Sequence, residues 1–336
     1  MNVYTDVICN FENLREAYRL AHRSKSECPE VIEFDRDILG NLLILKRQLI
    51  NKEWDKIFEY YRFEITVPKK RIVDALTFRG RIVQHVLCDN ILKPWFEKRL
   101  VKENCACRED KGTQYAANLV KQGMVKFLKN HDDGYCLKMD VKSYFPSIDR
   151  KTLKEMLKDF PYEDIKEFLF WIIDHCPESN GLPIGNQTSQ WMALYYLNKI
   201  DRIIKEKYRI KYYARYMDDL IIIHEDKKYL EKLLSELTIF ANDKLKLTFN
   251  DKTQIFPLHK GISFLGWKYY YTKDTHKIIT KVDSKKKQFR SNKIKEAKYQ
   301  LKHGLITKKE YDDKIRSLKE YLSYGNTYKY TKSLNI

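Results

Sequence analysis

Two adjacent carboxylates, Asp218 and Asp219, stand between two strongly apolar runs, 210–216 (IKYYARY) and 220–224 (LIIIH). Both runs are rich in β-branched and aromatic residues, which suit a pleated, half-buried surface. Two strands joined by a tight turn follow, so Tyr216-Met217-Asp218-Asp219 puts acid at the tip of a hydrophobic hairpin. A third carboxylate, Asp140, ends another apolar run, 135–140 (YCLKMD). Aspartates converging from strand ends are what a pair of hard divalent cations needs for phosphoryl transfer. Taken alone, Asp218-Asp219 also fits a plain polar turn, because Asp is common there.

Charge limits the partners. The net charge is +18, and sixteen basic residues against six acidic ones from Lys281 onward give that segment a net of +10. A polyanionic partner is expected. Apolar residues threaded through this segment (Ile294, Leu301, Leu305, Tyr311, Ile315, Leu318, Leu322) argue for folded helices rather than a solvated tail. The seven cysteines are odd in number and scattered, with Cys105 and Cys107 the closest pair. Free thiols in a reducing cytosol fit this pattern better than disulfides or zinc. No signal peptide or membrane span is read, which implies a cytoplasmic protein without a membrane partner.

Periodicity and punctuation place helices at 11–23, 33–58, 78–98 and 113–130, two helices over 151–176 split at Pro161, one opened by the loop 181–186, and one over 229–246. A hairpin with a basic turn at Pro68-Lys69-Lys70 joins 62–67 to 71–74. Short strands are expected at 247–249 and 254–256, and a hairpin over 262–271. Strands mixed with helices, without regular alternation, give an α+β core.

Nucleotidyl transfer joins a 3′-hydroxyl to an α-phosphate and releases pyrophosphate. One cation must acidify the hydroxyl and a second must neutralise the leaving group. Asp140 and Asp218 would bridge the two ions, the backbone carbonyl of Val141 would add a ligand, and Asp219 would lie nearby as an occasional one.

Five segments in order carry a resemblance: Asp140 with Phe145, then 181–190 (GLPIGNQTSQ), 216–219 (YMDD), 250–252 (NDK), and Phe264-Leu265-Gly266. This series, from about Arg71 to Trp267, resembles the reverse transcriptases. Most of those carry Gln-Gly-x-x-x-Ser-Pro before the long helix, whereas this chain has Ile184-Gly185-Asn186-Gln187-Thr188-Ser189-Gln190. That variant resembles the reverse transcriptases of diversity-generating retroelements, which are bacterial or phage-encoded. They copy a template RNA into cDNA with errors opposite adenine, helped by a small basic accessory protein.

The resemblance implies a right-hand polymerase: fingers over 1–135 with part of 150–190 returning to them, a palm with an antiparallel sheet over 136–267, and a basic helical thumb over 268–336. It implies two Mg²⁺ ions, with Mn²⁺ able to substitute, and dNTPs, template RNA and cDNA or primer as partners. Arg108 and Lys111 fall in the segment that matches the triphosphate-binding fingers loop, with Arg79 and Arg81 as secondary candidates. Phe145 would underlie the sugar and exclude a 2′-hydroxyl, although a core Phe gives the same pattern. Ile184, Gly185 and Gln190 would line the nucleotide site. Ile184 offers only shape contacts where a Gln amide would hydrogen-bond, so it discriminates less. Lys252 takes the place of the lysine that protonates the departing pyrophosphate, and Phe264, Leu265 and Gly266 that of the primer grip. Tyr321, Tyr324, Tyr328 and Tyr330 could stack on bases or serve packing.

Two other readings stand beside this one. A retron-type or phage-defence reverse transcriptase shares the motifs and differs in genomic context. A catalytically silent nucleic-acid-binding scaffold would keep the fold, and the intact carboxylate set counts against it. An RNA-dependent RNA polymerase conflicts with Phe145.

Overall fold

The computed structural model of the chain describes residues 2–66, 70–177 and 180–335. Nine strands lie among the described residues: β1 (Tyr60–Ile65), β2 (Arg71–Leu76), β3 (Tyr135–Asp140), β4 (Tyr212–Tyr216), β5 (Asp219–His224), β6 (Gln254–Pro257), β7 (Ile262–Phe264), β8 (Trp267–Thr272) and β9 (Lys277–Val282). They form three antiparallel sheets among many helices, an α+β architecture.

The chain divides into two compact units, each assembled from separate segments. The first comprises Met1–Glu109, Val141–Tyr208 and Ser235–Asn250; the second comprises Asp110–Asp140, Arg209–Leu234 and Asp251–Ile336. Both units draw on segments far apart in the sequence. The reason is that antiparallel pairing gathers strands from distant parts of the chain into one sheet.

In the first unit, Asp37 breaks the helix expected over 33–58. Its side chain accepts from the Gly40 N–H at 2.9 Å and so caps a new helix, Ile38–Ile50. The helix expected over 78–98 is continuous but changes register. Its middle, Cys88–Leu92, is a π-turn in which the Lys93 N–H reaches back to the Cys88 carbonyl. Pro94 follows immediately and has no N–H to give, so the regular ladder lapses beside it. β1 and β2 pair as the expected hairpin, with Phe63 opposite Val73; Pro68 and Lys69 of its turn lie outside the described residues. The strand expected at 247–249 is reduced to one bridge between Phe249 and Val141.

The second unit carries the sheet that matters for the site, in the order β4-β5-β3-β6. Leu137, Met139, Leu220, Ile222 and Tyr213 are buried in it. Helix Thr113–Leu128 belongs to the same unit and contributes Val120, Met124 and Phe127 to its core. A second sheet, β7-β8-β9, continues to Val282. The helical C-terminal part therefore begins at Ser284 rather than at 268, with helices Ser284–Lys302, Lys308–Ser323 and Tyr328–Ser333. Thr307 and Glu310 form a reciprocal capping box at the second of these. No helix among the described residues is long and apolar enough to cross a membrane. All seven cysteines are free, and five are buried.

Candidate active site

The hairpin of the second unit closes with a two-residue turn. Tyr216 pairs with Asp219, leaving Met217 and Asp218 at the tip. Met217 takes φ = +57°, the left-handed region, at a cost of roughly 1–2 kcal/mol for a residue with a side chain. Arg215 helps to hold that conformation: it is fully buried, and its Nη1 donates to the Met217 carbonyl at 2.7 Å.

β3 lies on the other side of β5, and its last residue, Asp140, is directly opposite Asp219. Opposed residues of an antiparallel pair share a face. Asp140 and Asp219 thus stand side by side, and Asp218 follows at the adjoining turn. Like charges so placed repel unless something intervenes. Lys138, two residues before Asp140, shares that face by strand period and brings its Nζ to 3.4 Å from both Asp219 oxygens. The same Nζ donates to the Ser263 carbonyl of β7 at 2.8 Å.

Burial first, and then the Asp140 charge, push the Asp218 carboxyl well above the ordinary carboxylate range. Burial pushes Asp219 up to about 6, against the pull of Lys138. A carboxyl with a higher pKa folded than unfolded holds its proton more tightly in the folded state. Its contribution is complete below the unfolded value, near 4, and is lost as pH rises through the folded value. In metal-free buffer, Asp218→Asn should therefore be more stable than the unsubstituted chain at pH 7.5, by about 1–2 kcal/mol after screening at a partly exposed turn. The gap should close toward pH 4. Urea unfolding of both proteins at several pH values checks this, and a gap that is independent of pH, or of opposite sign, would refute it.

The residues suit a divalent ion. They offer carboxylate oxygens, the hard donors such an ion takes, gathered at the end of one sheet. Among the described residues, however, no three His, Cys, Asp or Glu side chains form a ready cage. Mg²⁺ commonly binds through one or two carboxylates and completes its shell with substrate phosphates and water, so a partial set is consistent with such a site.

The remaining candidates are found in varied settings. In the second unit, Phe264 is buried in the β7-β8 sheet, while Leu265 and Gly266 form its turn with φ = +50° and +85°. Only these two are presented at the surface. Trp267 stacks on Tyr321 at 4.7 Å, and the Arg290 guanidinium covers the same Tyr321 at 3.5 Å. Tyr324 also packs on Trp267, and the Tyr330 hydroxyl donates to the Lys287 carbonyl, whereas Tyr328 is exposed. Lys252 is exposed in the turn before β6, and Lys111 lies over the Tyr115 ring.

In the first unit, Phe145 is half-buried, so it is not a core residue. Its carbonyl accepts from the Leu182 N–H at 2.9 Å, and Gly181 (φ = +73°) approaches so closely that a Cβ there would lie 2.5 Å from that carbonyl. Ile184 and Gln190 are half-buried and Gly185 is exposed. A Cβ on Gly185 would meet Val73 at 2.8 Å. Next to it the buried Asn186 donates to the Asp74 carbonyl at 2.8 Å, tying the loop to β2.

Arg108 is engaged within its own loop. Its side chain is 8% exposed, paired with Glu97, and donates to the Val101 and Asn104 carbonyls. A guanidinium so committed braces its own loop. Arg81 is similarly engaged, with the Leu76 carbonyl and Glu30, and Arg79 with Gln48. Sequence reasoning missed Lys138 and Arg215. For Arg215 the signal was present: a charge inside an otherwise apolar strand must find a buried partner.

The site is thus a set of carboxylates at the end of an antiparallel sheet in an α+β fold. Residues 64–269, more than half the chain, match the profile of the family described as reverse transcriptase (RNA-dependent DNA polymerase). The chain belongs to that family. Among curated proteins none matches it. Solved structures similar to it include apo telomerase from Candida tropicalis truncated from its C-terminal domain, with a TM-score of 0.50 and 14% identity over 68% of this chain and 55% of that one. Telomerase from Candida albicans in complex with a TWJ fragment of telomeric RNA gives a TM-score of 0.49 and 11% identity over 70% of this chain and 51% of that one. This chain thus spans about half the length of the telomerases it matches.

Proposed function

We propose that this chain is an RNA-directed DNA polymerase that copies template RNA into cDNA by two-metal nucleotidyl transfer, in the service of a diversity-generating retroelement. The observation that carries the reading is the meeting of Asp140 with the Asp218-Asp219 turn at the end of one sheet. Two Mg²⁺ ions, or Mn²⁺ in their place, would supply the positive charge that acidifies the primer hydroxyl and neutralises the departing pyrophosphate. Asp140 and Asp218 would hold them, with the Val141 carbonyl adding an oxygen. Lys252 gives a proton to the pyrophosphate, and Lys111 steadies the triphosphate. Phe145 closes the space beside the sugar to a 2′-hydroxyl. Leu265 and Gly266 meet the primer end, and the basic helices after Ser284 follow the duplex backbone as a thumb. Template RNA, primer and dNTPs are the partners, with a small basic accessory protein that the shared RNA would draw in.

The loop at 184–190 supports the retroelement subtype. Asn186 ties it to β2, where Gly185 leaves no room for a Cβ beside Val73, and Ile184 is left to meet the nascent pair by shape alone. Sequencing cDNA made from the cognate RNA tests this. Errors should concentrate at template adenines, and Ile184→Gln should reduce them about fivefold, the worth of one net hydrogen bond. An error spectrum even across the four template bases would overturn the subtype and leave the polymerase reading intact.

A further inference from the structure

Lys138 contacts the Asp219 carboxylate, and its geometry is unusual for a simple ion pair. Its Nζ makes a short bond to the Ser263 carbonyl, 2.8 Å, and stays at 3.4 Å from each Asp219 oxygen. Strand β7 therefore sets the position of the ammonium, and Asp219 lies within its field. Side chains of Lys138 and Asp219 are 21% and 22% exposed, so water screens the pair only in part. Lys138 sits on the same strand face as Asp140, and Asp219 is opposite Asp140. The cluster thus contains its own positive charge, anchored from a separate sheet.

We propose that Lys138 is a built-in counter-ion that keeps Asp219 out of the metal shell and leaves Asp140 and Asp218 as the ligand pair. The proposal rests on the reading of these carboxylates as metal ligands. It gives Lys138 a positioning role. The ammonium neutralises one carboxylate before any divalent ion or nucleotide arrives, so three acids can share the end of a sheet without forcing the turn apart. Because Ser263 leads into the Leu265-Gly266 turn through Phe264, the same contact links the grip turn to the carboxylates.

The test is Mn²⁺ binding to the full chain without nucleic acid, read as free Mn²⁺ by electron paramagnetic resonance. Removing a cation this close to the cluster makes it more negative, so Lys138→Met should bind Mn²⁺ roughly tenfold more tightly. Lys138→Arg, which keeps the charge, should bind as the unsubstituted chain does. Asp219→Asn leaves the ammonium unopposed and should bind roughly tenfold more weakly. The double variant Lys138→Met/Asp219→Asn removes a neutral pair that holds no metal, so its affinity should return to within about twofold of the unsubstituted chain. That variant carries the test even where Lys138→Met alone fails to fold, because it leaves no buried charge unpaired. A double variant that loses as much affinity as Asp218→Asn would overturn the proposal by making Asp219 a ligand. A folded Lys138→Met that binds no more tightly would also overturn it. An unsubstituted chain that binds no Mn²⁺ would instead remove the metal reading of the carboxylates, a separate failure.

Discussion

Asp218→Ala should lower the rate of primer extension on an RNA template by roughly 10³-fold or more, an effect on kcat rather than on template binding. Asp218 is at the turn, next to Asp140 and Asp219, where burial and a neighbouring carboxylate already disfavour its charged form. A divalent ion bound there would relieve that penalty, and on the proposed reading alanine would remove its ligand. The fold should survive. The turn is held from behind by Arg215 through the Met217 carbonyl, a contact that does not involve the Asp218 side chain. The measurement is single-turnover extension with Mg²⁺ and dNTPs, supplied with cognate RNA and accessory protein. Equal activity in the variant, or none in either protein, would favour a nucleic-acid-binding scaffold.

Phe145→Ala should raise the use of rNTPs relative to dNTPs by roughly 10- to 100-fold, the range that pocket shape alone can command. A buried core phenylalanine would respond differently, with loss of stability and no change in sugar preference. The structure separates these cases, because Phe145 is half-buried and its backbone is held by the Leu182 N–H and by the close approach of Gly181. Its ring is thus carried on a fixed turn. Competition between each rNTP and its dNTP on one template position gives the ratio directly. An unchanged ratio would remove the argument against a ribonucleotide-using polymerase.

Local chemistry made much of this chain legible. The β4-β5 hairpin was readable because two apolar runs flank a short turn that carries Asp218. Strand β9 was readable in principle, since Ile278, Ile279, Thr280 and Val282 form a β-branched run, but the lysines around it blended into the basic segment that follows. The break at Asp37 carried an N-cap signal that the long apolar periodicity of 38–50 masked. Arg108 illustrates the opposite difficulty. A basic residue in a polar loop looks exposed, and only the fold shows it buried against Glu97.

By itself the sequence determined where strands would end in acid, because the period of two and the chemistry of turns act over a few neighbouring residues. Tertiary structure alone decided that β3 would insert between β5 and β6, bringing Asp140 beside Asp219, and that a lysine from β3 would be pinned by a carbonyl of β7. Those contacts join residues roughly 80 to 125 positions apart. Their selection depends on which surfaces bury each other best in the whole fold, and no local pattern encodes that.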